Sequence, residues 1–275
     1  MSDDAGKETG ATRRLVDAGV VHHRAGDLAA AERDYRAALA LAPDQPDALH
    51  LLGLIAHRRG DPVAALGLID RAIAADPTVA AFHCNRGVVL KALKRFEAAI
   101  ASYDRAIVLD PGYADAHDYR ANALAALGRV REALAGYDRA IALRPDDPGP
   151  HFNRGVLLRA AHRPQAALTS YDRAMALKPD WPELHVNRGN ALKDLERLDD
   201  AVAAFRQAIR LRPGLAEAHS NLGTALAGLG FQDEALGCFR TARGLAPEAG
   251  LPRMPLLMTL NAIETIAPDE LAREH

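Results

Sequence analysis

The sequence predicts an all-α chain built from seven copies of one two-helix unit. Three observations carry this: a strict 34-residue period, columns of small residues that keep it, and apolar spacing of i, i+3, i+4 within each unit. The period is plainest in the prolines. Pro43, Pro77, Pro111, Pro145, Pro179, Pro213 and Pro247 recur without a slip. Two alanine columns keep the same step, Ala31 to Ala235 and Ala38 to Ala242, and between them runs a large-residue column of Tyr35, Ile69, Tyr103, Tyr137, Tyr171, Phe205 and Phe239. Glycine holds a fifth column at Gly19, Gly53, Gly87, Gly155, Gly189 and Gly223, with Ala121 as the exception.

Each unit reads as a helix A, a turn and a helix B. In the third, residues 80–93 form helix A, Lys94 and Arg95 the turn, and residues 96–109 helix B. The apolar set Val89, Leu90, Leu93, Phe96, Ala99, Ile100, Tyr103 and Ile107 has helical spacing. Pro111 cannot continue helix B and ends the unit. Pro46, Pro148 and Pro182 fall near the starts of A helices, and Pro62 and Pro164 near the starts of B helices, where a missing N–H costs nothing. Small residues at the crossings let helices approach closely, and the stack of units supplies the core that no unit has alone.

This order of Gly, Ala, aromatic, Ala and Pro at a step of 34 resembles the tetratricopeptide-repeat family. The resemblance implies a right-handed superhelical solenoid of seven repeats, at 12–45, 46–79, 80–113, 114–147, 148–181, 182–215 and 216–249. Its concave face would be made mainly of A helices. Residues 1–11 are expected to be disordered, and 250–275 to form a capping helix and a tail that reads as truncated. One departure is the early aromatic of helix A, replaced by His83, His117, His151, His185 and His219.

Composition narrows the function. Hydrophobic residues make up 49% of the 275 and aromatic ones 5%, which suits closely packed Ala- and Leu-rich helices. A net charge of −2 gives no field that would draw nucleic acid or anionic lipid, so neither is expected as a partner. The two cysteines, Cys84 and Cys238, have no metal or redox spacing. The polar start carries no signal peptide and no run is long enough to span a bilayer, so a cytoplasmic location is expected. Phosphate-binding glycine loops, metal-binding His-Glu pairs and nucleophile elbows are absent from the sequence, which therefore reads as a binder, neither an enzyme nor a cofactor carrier. The histidine column sits on successive helices roughly 8–10 Å apart, too far to share a metal ion.

A second correlation links neighbouring units. Asp70, Asp104, Asp138 and Asp172 on B helices are each followed sixteen residues later by Arg86, Arg120, Arg154 and Arg188 on the next A helix. Where the first position is Arg36 or Arg206, the second is Leu52 or Leu222. These are expected to be bidentate Asp–Arg pairs that fix the register between repeats.

The candidate ligand face is polar. Asn85, Asn153, Asn187 and Asn221 share one column of the A helices, at a cost of roughly 0.6 kcal/mol each against Ala. An amide can donate to and accept from an extended peptide whatever its sequence. Asn122 and Asn190 extend the strip, and Lys91, Arg159 and Lys193 form a basic column six residues beyond it. In the repeat region of O-linked N-acetylglucosamine transferases, which this chain resembles, such asparagines line the concave groove and hold peptide. The run Leu256-Leu257-Met258-Thr259-Leu260-Asn261, with Ala267 to His275 after it, resembles the passage joining repeats to the catalytic half in bacterial relatives of those enzymes. The resemblance implies a peptide- or protein-recruiting scaffold that works with a glycosyltransferase domain supplied elsewhere. The rival reading is a structural scaffold for self-assembly.

Overall fold

The computed structural model describes residues 2–247, with side chains from residue 10 onward. It is all-helical there and divides into two units at Leu143 and Arg144. The first unit holds four hairpins: α1 (Ser2–Arg24) with α2 (Leu28–Leu41), α3 (Pro46–Arg58) with α4 (Pro62–Ala75), α5 (Ala80–Ala92) with α6 (Phe96–Leu109), and α7 (Ala114–Ala126) with α8 (Val130–Leu143). The second holds three: α9 (Pro148–Ala160) with α10 (Pro164–Leu177), α11 (Pro182–Lys193) with α12 (Leu198–Leu211), and α13 (Ala216–Gly228) with α14 (Gln232–Leu245). Inside each unit every B helix packs on the A helix that follows it. Helix α1 begins at Ser2 and so takes in the stretch 2–11 expected to be disordered; no proline stops the helix from continuing outward. The expected capping helix and tail at 250–275 lie outside the described residues.

The hairpin turns share one device. Gly26, Gly60, Lys94, Gly128, His162, Glu196 and Gly230 all have positive φ, from 55° to 87°, and stand 34 residues apart. At each, the chain leaves helix A through a left-handed residue. Gly60 N–H donates to His57 O and Asp61 N–H to Ala56 O, the paired bonds that close a helix C-terminus. Glycine fills four of these positions, while Lys94, His162 and Glu196 carry the left-handed strain, about 1 kcal/mol each. The B helices end differently. Ala42, Asp76, Asp110, Lys178 and Arg212 have φ near −140° and ψ near 90°, because the proline after each excludes the helical region.

The core explains the columns. The seven alanines from Ala31 to Ala235 are fully buried, and so are Tyr35, Ile69, Tyr103, Tyr171 and Phe205. Each glycine of the fifth column lies under the ring or side chain of its own B helix. A Cβ on Gly87 would stand 2.5 Å from Tyr103 Cε1, and one on Gly155 or Gly189 would come as close to Tyr171 or Phe205. The exception at Ala121 is compensated within the same hairpin. Gly136 faces it from α8, and a Cβ there would fall 2.9 Å from that of Ala121. The small residue has moved from one helix to the other.

Tyr137 differs from its column in another way. Its hydroxyl donates to Asn122 Oδ1 at 3.0 Å, whereas the buried hydroxyls of Tyr35 and Tyr103 have no hydrogen-bond partner among the described residues. Burial also pushes the Tyr35 phenol up to about 12. Tyr103→Phe is therefore expected to leave stability unchanged or slightly raised. Tyr137→Phe should cost about 1 kcal/mol through the lost bond. Urea unfolding followed by circular dichroism tests this, and equal shifts in both variants would refute it.

Candidate functional site

The A helices of the second unit bring the predicted amides together. Asn153, Asn187 and Asn221 occupy the same register on α9, α11 and α13, and all three are half-buried. Asn187 Nδ2 donates to Glu183 O of its own helix at 2.9 Å. That leaves its Oδ1 and a second N–H for another partner. Asn190, one turn on, is buried. Beyond the amides Arg159 Nη1 reaches Asp194 Oδ2 at 3.2 Å, tying α9 to the end of α11. Burial depresses the Lys193 ammonium and Arg159 adds to this, while Asp194 opposes it. Within the basic column Arg159 is therefore paired with a carboxylate at the end of the next A helix.

In the first unit the same column is differently spent. Leu51 and Tyr119 stand where α3 and α7 would carry the amide, so Asn85 has no asparagine beside it. Its Nδ2 donates to His50 Nε2 at 2.8 Å. Asn122 is occupied at both ends: its Nδ2 donates to Asp118 O at 3.0 Å, and its Oδ1 accepts from Tyr137. Lys91 Nζ sits 5.9 Å from the Tyr119 ring centre, a cation–π contact between α5 and α7. Of the nine predicted residues, then, Asn85, Asn122 and Lys91 are engaged in holding the first unit together.

Sequence reasoning passed over an aromatic step beside the amides. The Phe152 and Trp181 rings stand 4.5 Å apart between centres, both half-buried, and Lys178 Nζ lies 5.2 Å over Trp181. The signal was present: Trp181 is the only tryptophan, and Phe152 directly precedes Asn153.

The histidine column has a structural explanation. His83, His117, His185 and His219 each place Nε2 2.7–3.2 Å from the carbonyl of the proline six residues earlier. The imidazole N–H thus satisfies a carbonyl that the proline turn leaves free, which a phenyl ring could not do. Among the described residues no group of three or more His, Cys, Asp or Glu could hold a metal ion.

The three rungs of the predicted ladder that lie inside the two units form. Arg86, Arg120 and Arg188 donate through Nε to Oδ1 of Asp70, Asp104 and Asp172 at 2.6, 2.5 and 2.8 Å. They are single bonds, not the bidentate pairs expected. Arg86 also donates through Nη1 to Ser102 Oγ at 2.9 Å. Where the sequence swaps the pair, the arginines find other partners: Arg36 bonds Glu32 at 2.7 Å and Arg206 bonds Glu234 at 3.2 Å.

Such an array of helix hairpins, each closed by a proline turn, is a helical repeat protein in architecture. Family models of the tetratricopeptide repeat match residues 16–80 and 80–113, and a TPR-repeat model matches 121–160 and 189–230. The chain belongs to the tetratricopeptide-repeat family. Among solved structures it is similar to YrrB, a TPR protein with an unusual peptide-binding site. That match is 25% identical, covers 69% of this chain and 96% of the other, and has a TM-score of 0.57. The fold is shared with pilF of Pseudomonas aeruginosa (21% identical, covering 83% and 99%, TM-score 0.68). It is shared also with a tetratricopeptide repeat protein from Parabacteroides merdae (17% identical, covering 92% and 100%, TM-score 0.68). No helix among the described residues is long and apolar enough to cross a membrane.

Proposed function

We propose that the chain is a non-catalytic recruiting scaffold that takes an extended peptide segment along the A-helix face of its second unit. One observation carries the reading: Asn153, Asn187 and Asn221 stand in the same register on three successive A helices. A peptide in extended form offers alternating N–H and C=O groups, which amides can bond regardless of sequence. Arg159 and Lys193 flank the strip and Asn190 supports it, while Asn85, Asn122 and Lys91 would play a lesser part. The likeness to YrrB, itself a protein with a peptide-binding site, supports the same reading. Presentation of the bound segment to a glycosyltransferase domain rests on the resemblance of residues 256–275 alone.

The test is a phage-displayed library of random linear peptides, panned against the wild-type protein. Clones recovered on wild type should lose binding to Asn153→Ala/Asn187→Ala by about tenfold or more, the loss of one to two hydrogen bonds. Circular dichroism confirms that both proteins are folded. Clones that bind both proteins equally would place recognition elsewhere and leave self-assembly as the better reading.

A further inference from the structure

The ladder between repeats is absent at the last described junction, and an open trough stands in its place. Between α4, α5 and α6 the residues Asp70, Arg86 and Ser102 are hydrogen-bonded together around a cleft of about 300 Å³. Four periods on, between α12, α13 and α14, the same positions are Arg206, Leu222 and Cys238, and the cleft opens to about 860 Å³. The junction of α2, α3 and α4 has the same swap to Arg36 and Leu52. There, however, the third position is Leu68, which packs on the core cluster that contains Leu52. Cys238 is smaller and leaves that space open.

Length and charge select the occupant. The α12 wall runs from Ala203 to Arg210 and the α14 wall from Glu234 to Thr241, each about 10 Å of helix, over a floor of Leu222 and Leu226. That length matches the apolar i, i+3, i+7 face of one amphipathic helix. A Cβ on Gly237 would meet nothing within 4 Å, so the α14 wall lets a partner backbone come close. The charge lies on Arg210. Its equivalents in the other repeats are Ala40, Ala74, Val108, Ala142, Ala176 and Gly244, so this guanidinium belongs to the trough and not to the repeat. It is exposed and has no carboxylate partner among the described residues. Arg206, one turn before it, is turned to Glu234 at 3.2 Å with both side chains more than half exposed. Two cations one turn apart repel, and a carboxylate laid between them removes that cost.

We propose that the trough between α12 and α14 is a docking site for an acidic amphipathic helix of a partner protein. The helix lays its apolar face on Leu222 and Leu226 and sets a carboxylate between Arg206 and Arg210. This site is separate from the amide strip. Helix α13 serves both, through Leu222 and Leu226 here and through Asn221 there.

The probe is a fluorescein-labelled peptide of about 15 residues, long enough to hold a helix, with leucine at i, i+3 and i+7 and glutamate beside them. Its counterpart carries lysine for every glutamate. Fluorescence anisotropy on the full chain should show the acidic peptide binding at least about tenfold more tightly than the basic one. Arg210→Glu, at an exposed position, should cut that preference by about tenfold or reverse it. Gly237→Phe should abolish binding by filling the trough from a position where an added side chain meets nothing. Equal binding of the two peptides, or binding of neither, overturns the proposal. So does binding that survives Gly237→Phe and is lost in Asn153→Ala/Asn187→Ala, which would move the peptide to the amide strip. The cysteines give a second reading, since Cys238 lines the trough and Cys84 is buried in the first unit. Acidic peptide at about ten times its Kd should slow modification of Cys238 by N-ethylmaleimide about tenfold, with Cys84 unmodified throughout. A Cys238 already unreactive before peptide is added would mean that this chain or a second copy fills the trough, and overturns the proposal.

Discussion

Gly87→Val is expected to destabilise the chain by about 3 kcal/mol, the upper end of what overpacking costs in a closed core. The magnitude follows from the contact it meets. A Cβ at Gly87 would stand 2.5 Å from Tyr103 Cε1 and 2.7 Å from Cδ1 and Cζ, and the Tyr103 ring is fully buried with no room to turn aside. Two further methyl groups deepen the clash, and the small gain in helix propensity over glycine offsets only about 0.5 kcal/mol of it. Gly67 is the contrasting case. It also lies inside a helix, α4, yet a Cβ there meets nothing within 4 Å. Gly67→Ala should therefore stabilise by about 0.5–1 kcal/mol, by restricting the unfolded chain. Urea midpoints should move in opposite directions for the two variants. A Gly87→Val protein as stable as wild type would show that the glycine column is tolerated and not required.

Much of the fold was legible because a repeat prints its packing seven times. A single glycine under a single tyrosine would carry no signal, but Gly19 and Tyr35 are matched by Gly87 and Tyr103 at the same spacing. The prolines were equally readable, since each forces the residue before it out of the helix. The turn column at 26, 60, 94, 128, 162, 196 and 230 escaped the reading although it has the same period. Lys94, His162 and Glu196 hide it, because left-handed backbone there is imposed by the hairpin and not by the residue. Ala121 likewise looked like a lapse in a column. Its compensation at Gly136 lies across the helix pair, where a column-by-column comparison does not look.

The candidate site was legible only in part, for a different reason. A column of asparagines shows where amides recur but not what they already bond. Asn85 and Asn187 are indistinguishable by position, yet one gives its N–H to His50 on the neighbouring A helix and the other to a carbonyl of its own helix. Those partners lie at separations of 35 and 4 residues, set by packing in the first case and by helix geometry in the second. Ladder geometry shows the same limit. The spacing of sixteen between Asp70 and Arg86 predicted the pair, but not that Arg86 would also bond Ser102, a residue in a third column.

His50 should make the first unit lose about 3 kcal/mol of stability between pH 7 and pH 4. Burial holds its imidazole down to about 4, with Asp47 opposing that shift. In the unfolded chain the ring titrates at its ordinary 6.5. As pH falls below 6.5 the unfolded state binds a proton that the folded state refuses, so stability declines steadily until about pH 4 and then levels. Geometry gives the reason for refusal. The ring lies 4.6 Å from Phe82 between centres, and Nε2 accepts the Asn85 Nδ2–H at 2.8 Å, so a proton on Nε2 would set one donor against another. His50→Gln keeps an acceptor for Asn85 and removes the titration. Carboxylates common to both proteins contribute equally, so the slope of stability against pH is the measurement. Wild type should fall about 3 kcal/mol further than His50→Gln from pH 7 to pH 4. Parallel slopes would mean that the ring takes its proton in the folded state. Asn85 would then be released from its partner, and the first unit would have an amide to offer a ligand in acid that it lacks at neutral pH.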